Sequence, residues 1–490
     1  MKSFFVYSLL CLTIAAHAQS IKPGFDKEEY HKLMLISVQT TGNQEYISNF
    51  LRPENHSILY QSQPVALDNL WDMWVHNRGE NAVISIRGTT EKTESWLLNF
   101  YAAMVPAKGS LSWGDDHTFE YHLSDDPRAA VHTGWLVGMA FMAGDIVEKI
   151  NYLYNEGISD FYIVGHSQGG GIAYLLSSHL SHLKETGELP SEIQFKTYCS
   201  AAPKPGNLYY AYSFESQFQN GWAFSIVNAA DWVPEVPITI QTLDDFNETN
   251  PFVNAEEVIA QQKLTTRIAL KRVYKKLNKP TRKAQKNYQR YLGDEAHKMV
   301  TEKIDGLKVP EYLPTSNYVR TGTHIILQPD EAYFQAFPND SNDVFTHHTH
   351  RPYLYLTEKL ETPFYQQEEA PKPNEMKTSE WVLSAWNGEE GKKADLETYR
   401  PTLQLMTEEG RIAGYTGCNR FNGEAKYDGS SIRISKNMMM TKRACKDFDE
   451  QAFTKDLAGV TTFFVSENGE TMLLLKDKSI VMEFKKGTVE

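Results

Sequence analysis

The amino-acid sequence predicts an α/β domain with a mostly parallel sheet, followed by a small β-rich domain at the C-terminus. Over most of the 490 residues, short apolar strand patterns alternate with helical patterns, which is typical of parallel strands joined by crossover helices. The final stretch instead holds short strands separated by Gly and Asn. The segment QQEEAPKPNEMKT between them has the composition of a linker. We therefore predict a first domain over residues 19–365, a linker over 366–378 and a second domain over 379–490.

In the first domain, apolar strands and helical patterns follow one another in a regular order. The predicted elements are a strand at 82–86, a helix at 135–154, a strand at 161–164, a helix at 170–183, and strands at 195–200 and 223–228. The strands are apolar on both faces, which is typical of a sheet covered by helices on both sides.

The first eighteen residues have the features of a signal peptide. A positive charge at Lys2 precedes an apolar run over residues 4–15, and the small residues at 16–18 suit signal peptidase. The run is too short to span a bilayer comfortably, and no later stretch is long and apolar enough to do so. We expect an exported bacterial protein, either periplasmic or extracellular, with no transmembrane segment once the signal is removed.

The charge and the cysteine content exclude some classes of protein. The formal net charge is −13, which argues against general nucleic-acid binding. Apart from the cysteine inside the signal peptide, only Cys199, Cys418 and Cys445 are present, so at most one internal disulfide can form.

A G-x-S-x-G sequence lies between the predicted strand 161–164 and the helix after it: Gly165-His166-Ser167-Gln168-Gly169. In an α/β-hydrolase this strand–turn–helix is the nucleophile elbow, which exposes the serine hydroxyl at the top of the sheet. The flanking glycines are needed because a Cβ there would collide with neighbouring backbone. The turn also directs the Gln168 N–H at the reacting oxygen, so we expect it to contribute to an oxyanion hole.

A serine nucleophile needs a histidine to take its proton and a carboxylate to orient that histidine. In this fold the acid follows a later strand, and Asp231 does so directly after the strand 223–228. Asp244, Asp245 and Glu235 compete for the role, but none follows a strand end so closely.

The histidine is less sharply defined. His347, His348 and His350 form a cluster that also suggests a metal site, but no carboxylate or cysteine is interleaved at ligand spacing. We therefore predict no metal and no cofactor. His324 lies in a strand pattern, and His132 precedes the serine and so has the wrong chain order.

A basic helical insert is predicted at about residues 240–315. Residues 263–290 contain eleven Lys or Arg and no acid, with apolar residues near helical spacing, and we expect Pro280 to end the helix. One interpretation is a solvated helix above the core. The other is a basic amphipathic flap that contacts anionic lipid or substrate.

The first domain resembles the class 3 (fungal-type) lipase family over roughly residues 60–360. The resemblance rests on five motifs in the family's order: IRGTT at 86–90, VHTGW at 131–135, GHSQGG at 165–170, APKPGN at 202–207 and VNAADWVP at 227–234. It implies that Thr89 lines the oxyanion hole. It also implies a histidine three or five residues before a tyrosine, here Tyr353, which allows His350 or His348; we prefer His348.

Two features depart from that family. Gln168 replaces the usual leucine of the elbow motif, which changes the surface there although the backbone N–H is retained. The segment 99–130, where the family carries a lid, is polar and lacks a short apolar helix. We therefore do not expect activation at oil droplets of the usual kind.

The C-terminal domain resembles the META domain, a small β-rich module of exported bacterial proteins. GCNRFNG at 417–423 and MTKRAC at 440–445 carry this resemblance. Cys418 and Cys445 are the candidates for the single disulfide, which an oxidising compartment would permit.

Together these observations predict an exported serine ester hydrolase, either a triacylglycerol lipase or a carboxylesterase, acting through an acyl-enzyme. The expected partner is an ester or lipid substrate, with peripheral contact to a lipid surface. Two alternatives remain: a phospholipase A on anionic glycerophospholipids, and a non-catalytic envelope-binding protein on a hydrolase scaffold.

Overall fold

The computed structural model describes residues 21–360, 380–386, 399–406, 409–428, 431–443, 448–466, 470–476 and 479–487. The chain divides into two compact units, Met1–Phe364 and Tyr365–Glu490. The predicted signal peptide, residues 1–18, and the predicted linker, residues 366–378, lie outside the described residues.

The first unit alternates strands and helices from Lys27 onwards. In chain order its elements are α1 (Lys27–Thr40), α2 (Gln44–Ile47), β1 (His56–Gln61), β2 (Trp71–His76), β3 (Ala82–Ile86), α3 (Thr93–Phe100), β4 (Met104–Pro106), β5 (Lys108–Trp113), β6 (His117–His122), β7 (Ala130–His132), α4 (Thr133–Asn155), β8 (Asp160–His166), α5 (Gln168–Thr186), β9 (Gln194–Ser200), β10 (Gly206–Asn207), α6 (Leu208–Gln217), β11 (Ala223–Asn228), α7 (Ala255–Ala260), α8 (Leu264–Gln289), α9 (Ala296–Thr301), β12 (Tyr318–Val319), β13 (Thr323–Leu327), α10 (Glu331–Ala336) and α11 (His350–Glu358).

The main sheet has seven strands in the order β1-β2-β3-β8-β9-β11-β13. Within this sheet, the strands β3, β8, β9, β11 and β13 are parallel to one another. The strands β1 and β2 add an antiparallel hairpin at one edge. This mixed, mostly parallel sheet confirms the predicted fold class. The carboxyl ends of β3, β8 and β11 lie at one edge, where α/β folds place their ligands.

Alternate residues of the parallel strands contribute to two separate cores. In β8, Phe161 and Ile163 belong to the core that includes the apolar residues of α4 and α5. Tyr162 and Val164 belong to the core that includes α1 and α11. Because both faces are covered, all seven residues of β8 are buried, which explains the continuous apolar run at residues 161–164.

The two ends of the predicted insert lie next to each other. Ile240 and Ser316 form an isolated bridge, with the Ile240 N–H donating to the Ser316 carbonyl at 3.0 Å. The prediction that Pro280 ends the helix is wrong, because α8 continues through it to Gln289. Proline removes one backbone donor, and the neighbouring residues are largely exposed, so water can satisfy the carbonyl left without a partner.

The segment between Asn99 and Ala130 contains the end of α3, then β4 and the β5–β6 hairpin. It forms no helix beyond Phe100. In the described part of the chain, no helix is long and apolar enough to cross a membrane.

In its described residues, the second unit consists of a single sheet with one helix against it. Its elements are β14 (Trp381–Trp386), β15 (Thr402–Met406), β16 (Arg411–Tyr415), β17 (Arg420–Asp428), β18 (Ser431–Ile434), β19 (Met439–Met440), α12 (Glu450–Ala458), β20 (Thr462–Val465), β21 (Thr471–Lys476) and β22 (Ser479–Lys486). The pairing of β16 with β17 closes the sheet on itself. Phe453 and Leu457 of α12 are buried in its core, as expected for the predicted small β-rich domain.

Candidate active site

Ser167 lies in the sharp turn between β8 and α5. Its backbone has φ of +62° and ψ of −132°, a region that residues with a side chain rarely adopt and that costs about 1–3 kcal/mol. The turn is held because the Ser167 N–H donates to the Ser200 carbonyl at 2.9 Å. A Cβ on Gly165 or Gly169 would lie 2.2 Å from other backbone atoms, so both positions require glycine.

His348 lies between Ser167 and Asp231. Its Nε2 is 2.8 Å from the Ser167 Oγ, and its Nδ1 is 2.8 Å from the Asp231 Oδ2. With the proton on Nδ1, the ring donates to the carboxylate and accepts from the serine hydroxyl. This is the geometry in which a histidine can remove the proton of a serine nucleophile.

Two further donors hold the Asp231 carboxylate, whose side chain is fully buried. The Val233 N–H donates to Oδ1 at 3.0 Å, and the Tyr353 hydroxyl donates to Oδ2 at 2.7 Å. Burial and the nearby carboxylate raise the pKa of Tyr353 well above its usual value, so it stays protonated. The carboxylate is therefore fixed in the orientation that His348 needs.

The other two histidines of the cluster point elsewhere. His350 lies between the Ser37 hydroxyl at 3.1 Å and the Tyr46 hydroxyl at 3.0 Å. Burial lowers its pKa to about 3, so the ring is neutral. His347 contacts the Tyr333 hydroxyl at 2.8 Å. Within the described residues, no group of His, Cys, Asp and Glu side chains could hold a metal ion.

His166 connects the elbow to the loop that carries His348. Its Nε2 donates to the His348 carbonyl at 2.6 Å, and its Nδ1 lies 3.1 Å from the Ser200 hydroxyl. The Tyr30 hydroxyl reaches the same Ser200 oxygen at 2.6 Å. Burial lowers the pKa of His166 well below its usual value, so the ring is a neutral bridge. Sequence reasoning missed this role, although His166 is part of the elbow motif.

The loop after β3 packs directly against the elbow. A Cβ on Gly88 would lie 2.9 Å from the His166 carbonyl oxygen and 3.4 Å from the Ser167 Cβ. Only glycine allows the loop to come this close to the elbow. The approach also places the next residue, Thr89, beside the elbow.

A chain of side-chain hydrogen bonds surrounds Thr89. The Trp135 indole N–H donates to the Asn99 Oδ1 at 3.0 Å, and the Asn99 Nδ2 donates to the Thr89 Oγ1 at 3.0 Å. The Thr89 hydroxyl donates in turn to the Gln168 Oε1 at 3.1 Å. Since the indole can only donate, it fixes the orientation of the Asn99 amide. The Thr89 proton is therefore directed at Gln168 in this structure. Sequence reasoning did not identify Asn99.

Aromatic side chains form a cluster beside His348. The Phe345 ring lies 5.7 Å from the His348 ring, and it also contacts the rings of Trp96 and Trp232 at 6.1 and 5.6 Å. Trp232 is exposed, as is the neighbouring Val344. These side chains thus form a partly exposed apolar rim beside His348, which suits an apolar group on a ligand.

The competing residues serve other contacts. Asp244 pairs with Arg282, and Asp245 accepts hydrogen bonds from Thr242. His132 is a buried N-cap of α4, and burial lowers its pKa to about 3. Two others lie away from the site described above: Glu235 in a short 3₁₀ turn and His324 at an exposed position of β13.

In the second unit, Cys418 is disulfide-bonded. Its predicted partner, Cys445, lies outside the described residues. The neighbouring Asn419 side chain is buried, accepts from the Arg443 N–H at 2.7 Å and donates to the Glu450 carboxylate at 2.8 Å. It therefore joins its turn to Arg443 and to the first residue of α12.

The mostly parallel sheet, the elbow and the Ser–His–Asp hydrogen bonds form the arrangement that is found in serine hydrolases. The comparisons with known proteins agree. Residues 83–241 match the class 3 lipase family model, and residues 374–488 match the META domain model. Both resemblances predicted from the sequence are confirmed.

Several solved structures are similar to part of this chain. A deletion mutant of the Rhizomucor miehei lipase propeptide complex is 17% identical, with a TM-score of 0.32; the match covers 44% of this chain and 64% of that one. A fungal lipase–inhibitor complex is 19% identical over 43% of this chain and 73% of that one, with a TM-score of 0.33. A Yarrowia lipolytica lipase is 16% identical over 45% and 78%, with a TM-score of 0.32. No curated protein matches the sequence.

Proposed function

We propose that this protein is an exported serine hydrolase that cleaves carboxylic esters of lipids through an acyl-enzyme. One observation carries the proposal: His348 lies 2.8 Å from both the Ser167 hydroxyl and the Asp231 carboxylate. The apolar rim beside this site supports an apolar acyl chain as part of the substrate.

In the proposed mechanism, the Ser167 Oγ attacks the ester carbonyl and transfers its proton to the His348 Nε2. Asp231 stabilises the resulting imidazolium. The backbone N–H groups of Thr89 and Gln168, with the Thr89 hydroxyl, stabilise the oxyanion. The alcohol leaves with the proton from His348, and a water molecule activated by the same ring then hydrolyses the acyl-enzyme. No cofactor takes part in these steps.

The direct test is hydrolysis of p-nitrophenyl esters, from acetate to palmitate, by the mature protein and by Ser167→Ala. We expect the variant to lose at least about 10⁴-fold in kcat. Ser216→Ala, at an exposed serine of α6, is the matched control and should retain wild-type activity. The preference among chain lengths distinguishes an esterase from a lipase. If wild type hydrolyses none of these esters and no phospholipid vesicle, the proposal fails and an envelope-binding role replaces it.

A second pair of variants tests which histidine acts. His348→Ala should abolish hydrolysis, because it removes the only ring in hydrogen-bond contact with Ser167 in the described part of the chain. His350→Ala should retain most activity after correction for the folded fraction, because its ring contacts Ser37 and Tyr46. The opposite result would assign the proton transfer to His350.

The proposed export rests on the sequence of residues 1–18, and the disulfide at Cys418 supports an oxidising compartment. Cell fractionation and the mass of the mature chain provide the test. We expect a chain that begins near Gln19 in the periplasm or the medium. A full-length chain in the cytoplasm would contradict export.

A second candidate substrate is an anionic glycerophospholipid, favoured by the basic helix α8 with nine Lys or Arg and no acid. Hydrolysis of phosphatidylglycerol vesicles should then release free fatty acid and lysophospholipid. Release from triacylglycerol alone would exclude this candidate.

A further inference from the structure

Helix α8 carries an apolar stripe that nothing in the described part of the protein covers. Leu270, Val273 and Leu277 are spaced three and four residues apart, so they share one face of the helix. They are 41%, 55% and 68% exposed. Large aliphatic side chains aligned on an exposed face mark a surface that interacts with a partner.

The opposite face of α8 is strongly basic. Lys275, Lys279, Arg282 and Lys286 follow one another at spacings of four, three and four residues, and the helix contains no Asp or Glu. Residues 263–290 contribute +11 to a total of −13, so the remaining residues sum to −24. This exposed element therefore has a net charge opposite in sign to that of the rest of the chain.

The helix is held mainly at its C-terminal end. The Tyr288 ring lies 6.3 Å from Tyr318 and packs with Met104 in a small core. Arg282 pairs with Asp244, but both side chains are exposed, and such pairs contribute little. Between residues 264 and 280, only Tyr274 and Asn278 are even half-buried. The N-terminal two thirds of α8 are thus exposed to solvent along most of their length.

We propose that α8 is a docking surface for an anionic lipid bilayer. A basic helix with exposed aliphatic residues is the form that binds in the interface of such membranes, through its apolar face and through attraction to anionic head groups. Nucleic acid would bind the basic face of α8, but it would not contact the aliphatic stripe. A neutral membrane would bind the aliphatic stripe, but it would not attract the basic face. The inference rests on the proposed function, because the surface to which α8 binds is the phase that holds the lipid substrate.

The insert and the candidate active site share α3. Lys303, beyond α8, forms an ion pair with Glu94 of α3 at 2.9 Å. Trp96, two residues after Glu94 on α3, contacts Phe345, and Phe345 lies beside His348. The insert that carries α8 is thus joined to the helix that contributes Trp96 to the apolar cluster beside His348.

The experiment measures co-sedimentation of the full mature chain with vesicles, in the Ser167→Ala background so that binding is read without hydrolysis. Vesicles of phosphatidylglycerol and phosphatidylcholine are compared with phosphatidylcholine alone. We expect binding to the anionic vesicles only, and weaker binding when salt is raised from 0.1 to 1 M, because the Debye length falls from about 10 to about 3 Å.

Three multiple variants identify the surface. Lys275→Gln, Lys279→Gln and Lys283→Gln together should weaken binding about a hundredfold, since each charge near an anionic surface contributes about a factor of five. The apolar set consists of Leu270→Gln, Val273→Thr and Leu277→Gln and should weaken binding at least about tenfold. The matched control removes the same charge from exposed lysines outside the insert, through Lys32→Gln, Lys108→Gln and Lys426→Gln, and should bind as wild type.

Several results would overturn the inference: no binding to anionic vesicles, full binding by the charge variant, or an equal loss in the control. A dimer in solution that the charge variant dissociates would assign α8 to a second copy of the chain instead. The two proposals also fail separately. If the chain with unaltered α8 does not bind anionic vesicles while the wild type hydrolyses soluble esters, the docking surface alone is rejected, whereas binding without any hydrolysis by the wild type rejects the proposed function alone.

Discussion

Gln168 competes for the proton of a hydroxyl that the proposed transition state also needs. The Thr89 hydroxyl accepts from Asn99 and donates to the Gln168 Oε1 at 3.1 Å, so its single proton must leave Gln168 before it can reach an oxyanion. A neutral hydrogen bond of this kind contributes about 1 kcal/mol. An oxyanion donor contributes about 3–4 kcal/mol. Gln168→Leu removes the hydrogen bond that the Thr89 hydroxyl must break before it donates to the oxyanion. We therefore expect the variant to lower the activation free energy by about 1 kcal/mol, which raises kcat about fivefold.

The assay is kcat for p-nitrophenyl butyrate at saturating substrate, measured for both single variants and the double variant. Thr89→Val should lower kcat by about 10²–10³, and Gln168→Leu should have no further effect in that background, because the competing donor is gone. The reasoning is refuted if Gln168→Leu leaves kcat unchanged or lowers it in the presence of Thr89. It is equally refuted if the fivefold gain persists with valine at position 89.

Three further predictions follow from the packing of the site. Tyr353→Phe should lower the free energy of unfolding by about 1.5–3 kcal/mol in urea titrations, because it removes a donor to the buried Asp231 carboxylate; an unchanged midpoint would contradict this. Burial lowers the pKa of His350 in the folded protein to about 3, which is below the value of about 6.5 in the unfolded chain. The contribution of its neutral ring to the free energy of unfolding is therefore complete above about pH 6.5 and is lost as the pH falls towards 3. Between pH 6 and 4, His350→Gln should therefore reduce the dependence of unfolding free energy on pH by about 1.4 kcal/mol per unit, and parallel curves would reject this. Gly169→Ala should prevent folding or cost several kcal/mol in thermal melts, since its Cβ would lie 2.2 Å from the Ile86 carbonyl oxygen; a soluble variant with a wild-type melting temperature would exclude it.

The fold class could be predicted because the central strands are apolar on both faces. The strands Ala82–Ile86 and Ala223–Asn228 begin and end where the apolar pattern does, since burial and not local propensity sets their limits. The helix through Pro280 could not be predicted, because a proline in a sequence pattern does not reveal that solvent surrounds it.

The proposed catalytic residues could be predicted from local sequence motifs. The contacts of Tyr30 and Asn99, which position parts of the site, could not. Ser167 and Asp231 directly follow strands, so spacing along the chain identifies them. Tyr30 contacts Ser200 across 170 positions of sequence, and it comes from α1, which sequence analysis did not assign. Such long-range contacts depend on how the helices pack over the sheet, and no local pattern encodes this. The role of Asn99 was hidden for the same reason.

The backbone of Ser167 has an evolutionary consequence. A residue with φ of +62° and ψ of −132° occupies a conformation that glycine adopts far more readily, so a serine there makes folding less favourable. Selection for stability alone would remove the hydroxyl at this position. The chain retains it, in contact with His348, which agrees with the proposed role of that oxygen. Directed evolution for thermal stability, with no requirement for activity, should therefore recover glycine at position 167 early.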